Sequence, residues 1–439
     1  MNQHSSAYEV IESHNQNIQV SLYTPAHQGI ARQSDRLSQE IYRYDVPFLT
    51  RPRTEGVEKY LSQLYGTKHT FTLTGGGTQG VLTACALLGT RYRRVAIAAN
   101  SHISTINGII LAGLEPYIIP SRSWMPTTEE TIAALEASNV SALLLTHPSY
   151  EGITLDLPRI AAYCRQQNIA LVIDGAHDSH FPFLDDRWQS AIAAHPDIVT
   201  HSMHKYAGSL VQTALLHLPE GSRFTQEDVM GVLPLFETTT RSNLLLLSLE
   251  NAIEYGFSQE GKSKFENNIE ECDRLRSQLD NYGSVLTYNR LVRDPLKIYL
   301  QSDRVTGEVL EELLYERGVD GEYAEEEGIL LIFSFNHDLQ HFQHLSEVFA
   351  NLVPILGEKP VQADRGNLPL CRRPQMKMLP KNAFFAPKET LALGDAIGKT
   401  SSCCIKKVPP GIPILIPGEE VTNWHLQVLE PNTMINITC

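Results

Sequence analysis

Three short segments carry residue types that could do chemistry together. Thr74-Gly75-Gly76-Gly77-Thr78-Gln79-Gly80 stands between the strand-like run 70–73 and the apolar helix-like run 81–88. Successive glycines let backbone N–H groups converge on an anion, and a helix N-terminus behind them adds a favourable dipole. The same run also makes a plain strand-to-helix turn. It matches neither the Gly-Lys-Ser/Thr phosphate loop nor GxGxxG. Asp174 ends the apolar run 169–173 and is followed by Gly175-Ala176-His177. Ligands of open α/β sheets bind beyond the carboxyl ends of the strands, so a carboxylate there faces a crevice, although a helix cap or turn uses the same residue type. Ser202-Met203-His204-Lys205 follows a third such run, 197–200. A lysine stripped of water beside a crevice can form a Schiff base with a carbonyl, whereas most lysines are solvated surface residues.

Taken in order, an anion cradle, a strand-end carboxylate and a strand-end lysine answer three needs of pyridoxal 5′-phosphate (PLP). These are a seat for the phosphate, a partner for the pyridine nitrogen and an amine for the aldehyde. His102, just past the strand-like run 95–99, is a candidate for the ring face. A metal reading competes, because His177-Asp178-Ser179-His180 and His201-Ser202-Met203-His204 are HxxH runs. It leaves the glycine turn and Lys205 unexplained, and the HExxH glutamate is absent, so no metal is expected.

The elements that must position these groups are short apolar runs at 70–73, 95–99, 117–119, 142–145, 170–173 and 198–199, separated by helix-length intervals. That alternation predicts βαβ units and a mostly parallel sheet covered on both faces. The expected organisation is an N-terminal arm over 1–65, with a loop around Pro47 and Pro52, and a large α/β domain over 66–255. A smaller α/β domain over 256–360 follows, then a linker and C-terminal domain over 361–439. The smaller domain should hold strands at 297–300 and 329–333 and a helix at 307–316. At 439 residues the chain is long enough for about three domains. Thirty-six basic against fifty acidic residues give a net charge of −14, which disfavours a nucleic-acid phosphate binder. Seven cysteines without a regular framework suggest reduced thiols in a cytoplasm. No apolar run approaches the roughly 18 residues of a membrane span, so no membrane or nucleic-acid partner is expected.

The segments resemble the Orn/Lys/Arg decarboxylase family over nearly the whole chain. Tyr23-Thr24-Pro25-Ala26-His27-Gln28-Gly29 resembles its PGHK segment, Leu73 to Gly80 its TNGTT-x-G turn, and Asn100-Ser101-His102 its RN-x-HKS segment. Thr146 to Gly152 is similar to its P-T-Y-x-G loop, and Asp174-Gly175-Ala176-His177 with His180-Phe181 to its DEAHGAHF block. Ser202-Met203-His204-Lys205 with Gln212-Thr213 resembles S-T-H-K…TQ. Residues 392–399 resemble AIGR, and Pro409-Pro410-Gly411-Ile412-Pro413 to Pro417-Gly418-Glu419 the family's YPPGIP-x-L-x-PGE signature.

The resemblance implies a fold-type-I PLP-dependent (aspartate-aminotransferase-like) large domain with a smaller α/β domain and a C-terminal domain, in the short form without an N-terminal wing. It also implies decarboxylation of a basic amino acid (arginine, lysine or ornithine) to its amine, in a cytoplasmic homodimer or larger homo-oligomer with sites at the subunit interface. Lys205 would be the cofactor lysine, Asp174 the partner of the pyridine nitrogen, and His102 the residue stacked on the ring. His177 would flank the cofactor. Gly76, Gly77, Thr78, Ser202 and His204 would hold or neighbour its phosphate, with His204 also counted among the catalytic residues and Thr239 among the cofactor contacts. Other fold-type-I reactions, such as transamination, elimination or oxidative deamination, pass through the same cofactor chemistry, and a silent PLP or amino-acid sensor is the alternative of another class.

Several positions depart from the family pattern. PGHK is Pro25-Ala26-His27-Gln28, HK is His102-Ile103, a threonine-like position of the turn is Gly77, and TTSPSY is Thr238-Thr239-Thr240-Arg241-Ser242-Asn243. Arg241 could bring a cation to a neighbouring subunit's site, favouring a carboxylate-bearing substrate, or it could pair with a structural carboxylate such as Glu237.

Overall fold

A computed structural model describes residues 20–22, 51–121, 125–185, 187–359, 374–407 and 411–439. The PGHK-like segment, much of the arm and linker, and Pro409-Pro410 lie outside the described residues. The described chain begins with strand β1 (Val20–Leu22), followed by helix Arg51–Tyr65 and strand β2 (His69–Leu73). Pro52, expected in a loop, stands in the first turn of that helix, where its missing N–H removes no intrahelical bond. Helix Gly76–Gly89 leads to β3 (Arg94–Ala98), helix Ile103–Ala112 to β4 (Glu115–Ile119), and helix Thr128–Ala137 to β5 (Ala142–Thr146). Helix Leu157–Gln166 precedes β6 (Ala170–Asp174), and β7 (Ile198–Ser202) and β8 (Ala214–Leu218) complete the set.

These strands form a seven-stranded sheet in the order β2-β8-β7-β6-β5-β3-β4. From β7 to β4 every pair is parallel, while β8 runs antiparallel to both β2 and β7. Every residue of β5, β6, β7 and β8 is buried, so both faces of the sheet centre are covered and the strands read as continuous apolar runs. The sheet thus has the expected α/β architecture. Strand β8 lies outside the sequence expectation, because a five-residue apolar run buried along its whole length and interrupted by His217 has no alternation to mark it.

The described residues fall into two compact units. The larger takes them from Arg36–Met203, Leu210–Asn251 and Asn367–Cys439, the smaller from Met1–Asp35, His204–Ser209 and Ala252–Gly366. Both the sequence boundary after 255 and the change of unit after Asn251 fall inside one helix, Asn243–Phe257. The C-terminal segment therefore shares a unit with the large sheet. Its strands β14 (Lys388–Ala392) with β17 (Met434–Thr438), and β15 (Ile405–Lys407) with β16 (Ile412–Leu415), surround a small core of Leu393, Ala396, Leu415, Val421, Ile435 and Ile437. Ile416 joins the main core beside Phe71, Leu73, Ile106 and Leu216.

In the smaller unit, β12 (Tyr323–Glu325), β13 (Gly328–Ile332), β10 (Lys297–Gln301) and β9 (Thr287–Tyr288) form an antiparallel sheet, and β1 pairs in parallel with β11 (Val319–Gly321). Lys297 is completely buried there. Its ammonium stands 3.6 Å from Asp294 Oδ2, also inaccessible, and 5.6 Å from the ring centre of Tyr206. Burying such a pair is costly and leaving one member alone costs more.

A second buried polar group lies in the larger unit. His201 Nε2 is 3.0 Å from Asp178 Oδ2, which also accepts from Ser190 Oγ (2.9 Å) and the Ala191 N–H (2.8 Å). His217 Nδ1 bonds Thr70 Oγ1 at 2.8 Å, and its ring lies 4.8 Å from that of His201 and 4.7 Å from that of Tyr65. Burial pushes the His147 imidazolium down to about 4, against the attraction of Asp178, and burial with the neighbouring His201 holds His217 well below the ordinary histidine range.

Both groups predict measurable stability effects. For His147, the unfolded chain binds more protons than the native one between about pH 6.5 and 4, so stability is complete above 6.5 and declines as pH falls. Its share of the loss is about 2 kcal/mol at pH 5. Urea midpoints at pH 7 and 5 should show this drop, and His147→Gln should shrink it. Asp294→Ala, which takes this carboxylate away from the buried Lys297, should lower stability by about 3–5 kcal/mol, and adding Lys297→Met should restore most of it; equal losses in single and double variants would contradict the pairing.

Candidate active site

At the carboxyl ends of the parallel strands, Thr146, Asp174 and Thr200 stand side by side on β5, β6 and β7. Asp174 is 3% exposed, its Oδ1 accepts the Ala176 N–H at 3.2 Å, and its carbonyl accepts the His147 N–H at 3.0 Å. Gly175 allows the chain to turn here against β7: a β-carbon on it would lie 3.0 Å from the His201 ring and 3.1 Å from the Thr200 carbonyl. His177 is buried, with its ring edge-on to Tyr150 at 4.7 Å. Ser202 closes β7.

The glycine turn meets that same end. A β-carbon on Gly77 would overlap Ser202 Oγ, and one on Gly80 would lie 2.9 Å from Thr200 Cγ2. Gly76, with φ +72, gives its N–H to the Gln212 carbonyl at 2.7 Å, and the Gly75 N–H goes to Gln79 Oε1 at 2.8 Å. Helix geometry then leaves the first-turn N–H groups of Gly77 and Thr78 without an intrahelical acceptor, whereas that of Gly76 is engaged. Gln212 itself sits at φ +75, a conformation rare for a residue with a side chain and here tied to the turn it supports.

His102 precedes helix Ile103–Ala112 and caps it. The Ser104 N–H donates to His102 Nδ1 at 3.2 Å, and Ser104 Oγ is 2.8 Å from the same nitrogen. Because a backbone N–H can only donate, Nδ1 keeps its lone pair and the neutral ring carries its proton on Nε2. His204 and Lys205, both half-buried, lie in the single helical turn Met203–Tyr206 that follows β7, and the Met203 N–H is fastened to the Thr213 carbonyl at 3.1 Å. Within the smaller unit the next residue, Tyr206, is the buried ring that faces Lys297.

Other sequence candidates lie elsewhere. Thr239 is exposed, in the bend before helix Asn243–Phe257. Arg241 is buried, with Nε 3.1 Å from Glu237 Oε1 and Nη2 donating to the Thr72 carbonyl (2.9 Å) and Thr72 Oγ1 (2.5 Å). Thr72 in turn donates its N–H and hydroxyl to Glu58 Oε1. The arginine thus ties its loop to β2, which is the pairing reading rather than the substrate-cation reading. Glu419 of the C-terminal signature turns inward, accepting the Ile416 N–H at 3.2 Å and standing 3.3 Å from His425 Nε2. Among the described residues no group of three or more His, Cys, Asp or Glu side chains is placed to hold a metal ion; the His201 of one HxxH run is engaged with Asp178. No helix among them is long and apolar enough to cross a membrane.

Asp178 and His201 were not singled out by sequence reasoning as structural partners. The available signal was Asp178 itself, where the DEAHGAHF block has glycine, together with a histidine near the end of a strand-like run.

Known proteins are similar to this chain in sequence and in fold. The family model described as "Orn/Lys/Arg decarboxylase, major domain" matches residues 51–299. The arginine decarboxylase of Bacillus subtilis is 28% identical over 393 residues, covering 84% of this chain and 79% of its own. In fold, the chain is similar to a lysine decarboxylase of Francisella novicida (TM-score 0.72, 16% identity, 87% of this chain and 71% of that one). It is also similar to a serine palmitoyltransferase of Sphingomonas wittichii (TM-score 0.64, 16% identity, 77% of this chain and 88% of that one). The fold is that of the type-I PLP-dependent enzymes. With the family model covering more than half of its length, the chain belongs to the Orn/Lys/Arg decarboxylase family of amino acid decarboxylases.

Proposed function

We propose that this decarboxylase holds PLP at the carboxyl end of the large sheet and converts a basic amino acid (arginine, lysine or ornithine) to its amine and carbon dioxide. The observation that carries the reading is the meeting of the glycine turn with Ser202 at the end of β7, the strand beside the one that ends in Asp174. A cradle that any β-carbon on Gly77 would fill, first-turn N–H donors and a hydroxyl suit a phosphate. A buried carboxylate one strand away suits a protonated pyridine nitrogen.

PLP supplies, when bound, an aldehyde for the substrate amine and an electron-accepting ring that stabilises the charge left at Cα as the carboxylate departs. In this reading Gly77, Thr78 and Ser202 hold the phosphate, with Gly76 shaping the turn. Asp174 keeps a proton on the pyridine nitrogen. His102 would cover a ring face, His177 would flank the ring, and the Lys205 amine would hold the cofactor at its aldehyde. His204 stands next to that lysine and serves the phosphate side or proton transfer at Cα. Residues 66–255 form the cofactor-binding domain and 256–360 the smaller one. The enzyme works in the cytoplasm as a homodimer or larger homo-oligomer, where Thr239 completes a neighbouring subunit's site.

Purified protein should show the visible absorption of bound PLP, and borohydride should fix the cofactor to Lys205. Lys205→Ala should abolish the adduct and lower amine production by roughly 10⁴-fold or more. An undiminished adduct would overturn the assignment. Asp174→Asn should keep the fold and lower kcat by about 10²–10³-fold, as for loss of one oriented electrostatic group. Incubation with arginine, lysine and ornithine, with amine and carbon dioxide measured, should give equal amounts of both from one of them; keto acid without gas would instead indicate transamination.

A further inference from the structure

The C-terminal PPGIP segment has no part in the reading above, yet among its described residues Gly411 stands beside His102 and Ile103. Gly411 is buried at the end of the β15–β16 hairpin, where its N–H donates to the Lys407 carbonyl at 2.8 Å. Its own carbonyl accepts the N–H of Ile103 at 2.9 Å. That N–H is one of the first-turn donors that helix Ile103–Ala112 cannot satisfy by itself. Gly411 has φ +111, where a side chain is strained, and a β-carbon there would lie 3.2 Å from both Cδ2 and Nε2 of His102. The imidazole is therefore held at Nδ1 by the Ser104 N–H, and its Cδ2 and Nε2 edge lies where a side chain on residue 411 would press on it.

We propose that Gly411 is a positioning residue for the PLP site: its carbonyl caps the helix that carries the His102 ring, and its lack of a side chain leaves the ring its place at the Cδ2 and Nε2 edge. The inference rests on His102 covering the cofactor, as proposed above. Glycine is required for two separate reasons, the left-handed backbone and the closeness of the ring. The hydrogen bond to Ile103 then couples the hairpin to the segment that carries the imidazole. A ring displaced by a few tenths of an ångström loses its fit against a bound cofactor before the fold itself is lost.

The test measures the dissociation constant of PLP from full-length protein stripped of cofactor, with urea midpoints as the check on folding. Gly411→Ala should raise the constant about tenfold and lower kcat by a similar factor, because small misplacement of a contacting group is amplified in both. Ile103→Pro provides a second route. It removes the N–H that bonds Gly411 while keeping a residue suited to the first helical position, and His102, at φ −65 and ψ 153, already has the backbone that precedes proline. It should weaken PLP binding in the same direction. The decisive comparison is with His102→Ala: if Gly411 acts through the ring, Gly411→Ala should change PLP affinity less than about twofold in that background. The same loss in both backgrounds, or full affinity in Gly411→Ala and Ile103→Pro with His102 present, would overturn the proposal. Should His102→Ala alone bind PLP as well as the parent protein, this inference falls while Lys205 and Asp174 stand; should the parent protein bind no PLP, the functional reading falls with it.

Discussion

Helix Gly76–Gly89 can begin where it does only because its first turn presents almost no side chains to the end of β7. Gly77 lies against Ser202 and Gly80 against Thr200, each so close that a β-carbon would collide or nearly so. A helix start is an electropositive object, with N–H groups that its own hydrogen bonding leaves over, and packing it onto the carboxyl end of a parallel sheet concentrates that polarity at one point. Asp174 brings a carboxylate to the next strand end, and Lys205 follows β7 by three residues. If the glycine turn stood off by the width of a methyl group, the donors of Gly77 and Thr78 would no longer share a wall with Ser202.

The interior behind these groups is more polar than a parallel sheet needs. Asp178 is the hub, joining the turn after Asp174 to His201 on β7 and to the backbone of Ala191. Such a network carries a desolvation cost that hydrogen bonds repay only when every member is placed, so it resists small rearrangements. Its effect is to tie the loop that bears His177 to the strand that leads to Lys205. Lys297 and Asp294 form a comparable buried pair beside Tyr206 in the smaller unit, next to that same lysine in the chain. Burial also makes the thiols of Cys85 and Cys164 poor nucleophiles by pushing both up to about 12, so these cysteines act as small apolar residues.

The C-terminal signature is largely structural in its chemistry. Glu419 is turned inward to Ile416 and His425, and Gly418, at φ +88, gives its N–H to the Ser401 carbonyl and takes that of Lys377. These contacts fold the last segment against itself, while Ile416 roots it in the main core. Arg241 belongs to the same class of residue: a cation that sequence alone leaves open to two readings becomes, once packed against Thr72 and Glu237, a tie between a loop and the sheet edge.

Much of this was written locally. Buried parallel strands have no polar face, so their apolar runs and the helix-length gaps between them disclose the sheet, and the position of Asp174 and Ser202 at strand ends is legible in the same pattern. Less was visible where the information is relational. The antiparallel strand β8 has no periodicity of its own, and helix Arg51–Tyr65 was hidden by a proline that suits its first turn. That Gly76 spends its N–H on Gln212 while Gly77 and Thr78 keep theirs depends on residues far apart in the chain. So do the pairing of Asp178 with His201 and the closing of Gly411 on His102. Sequence by itself determined the elements and the chemical kinds of group at their ends, since both follow from hydrophobic pattern and residue type over a few neighbours. Which donors remain available, which charges are already paired and which glycine borders which ring were decided by tertiary structure alone, because each is a distance between segments that local propensity does not encode.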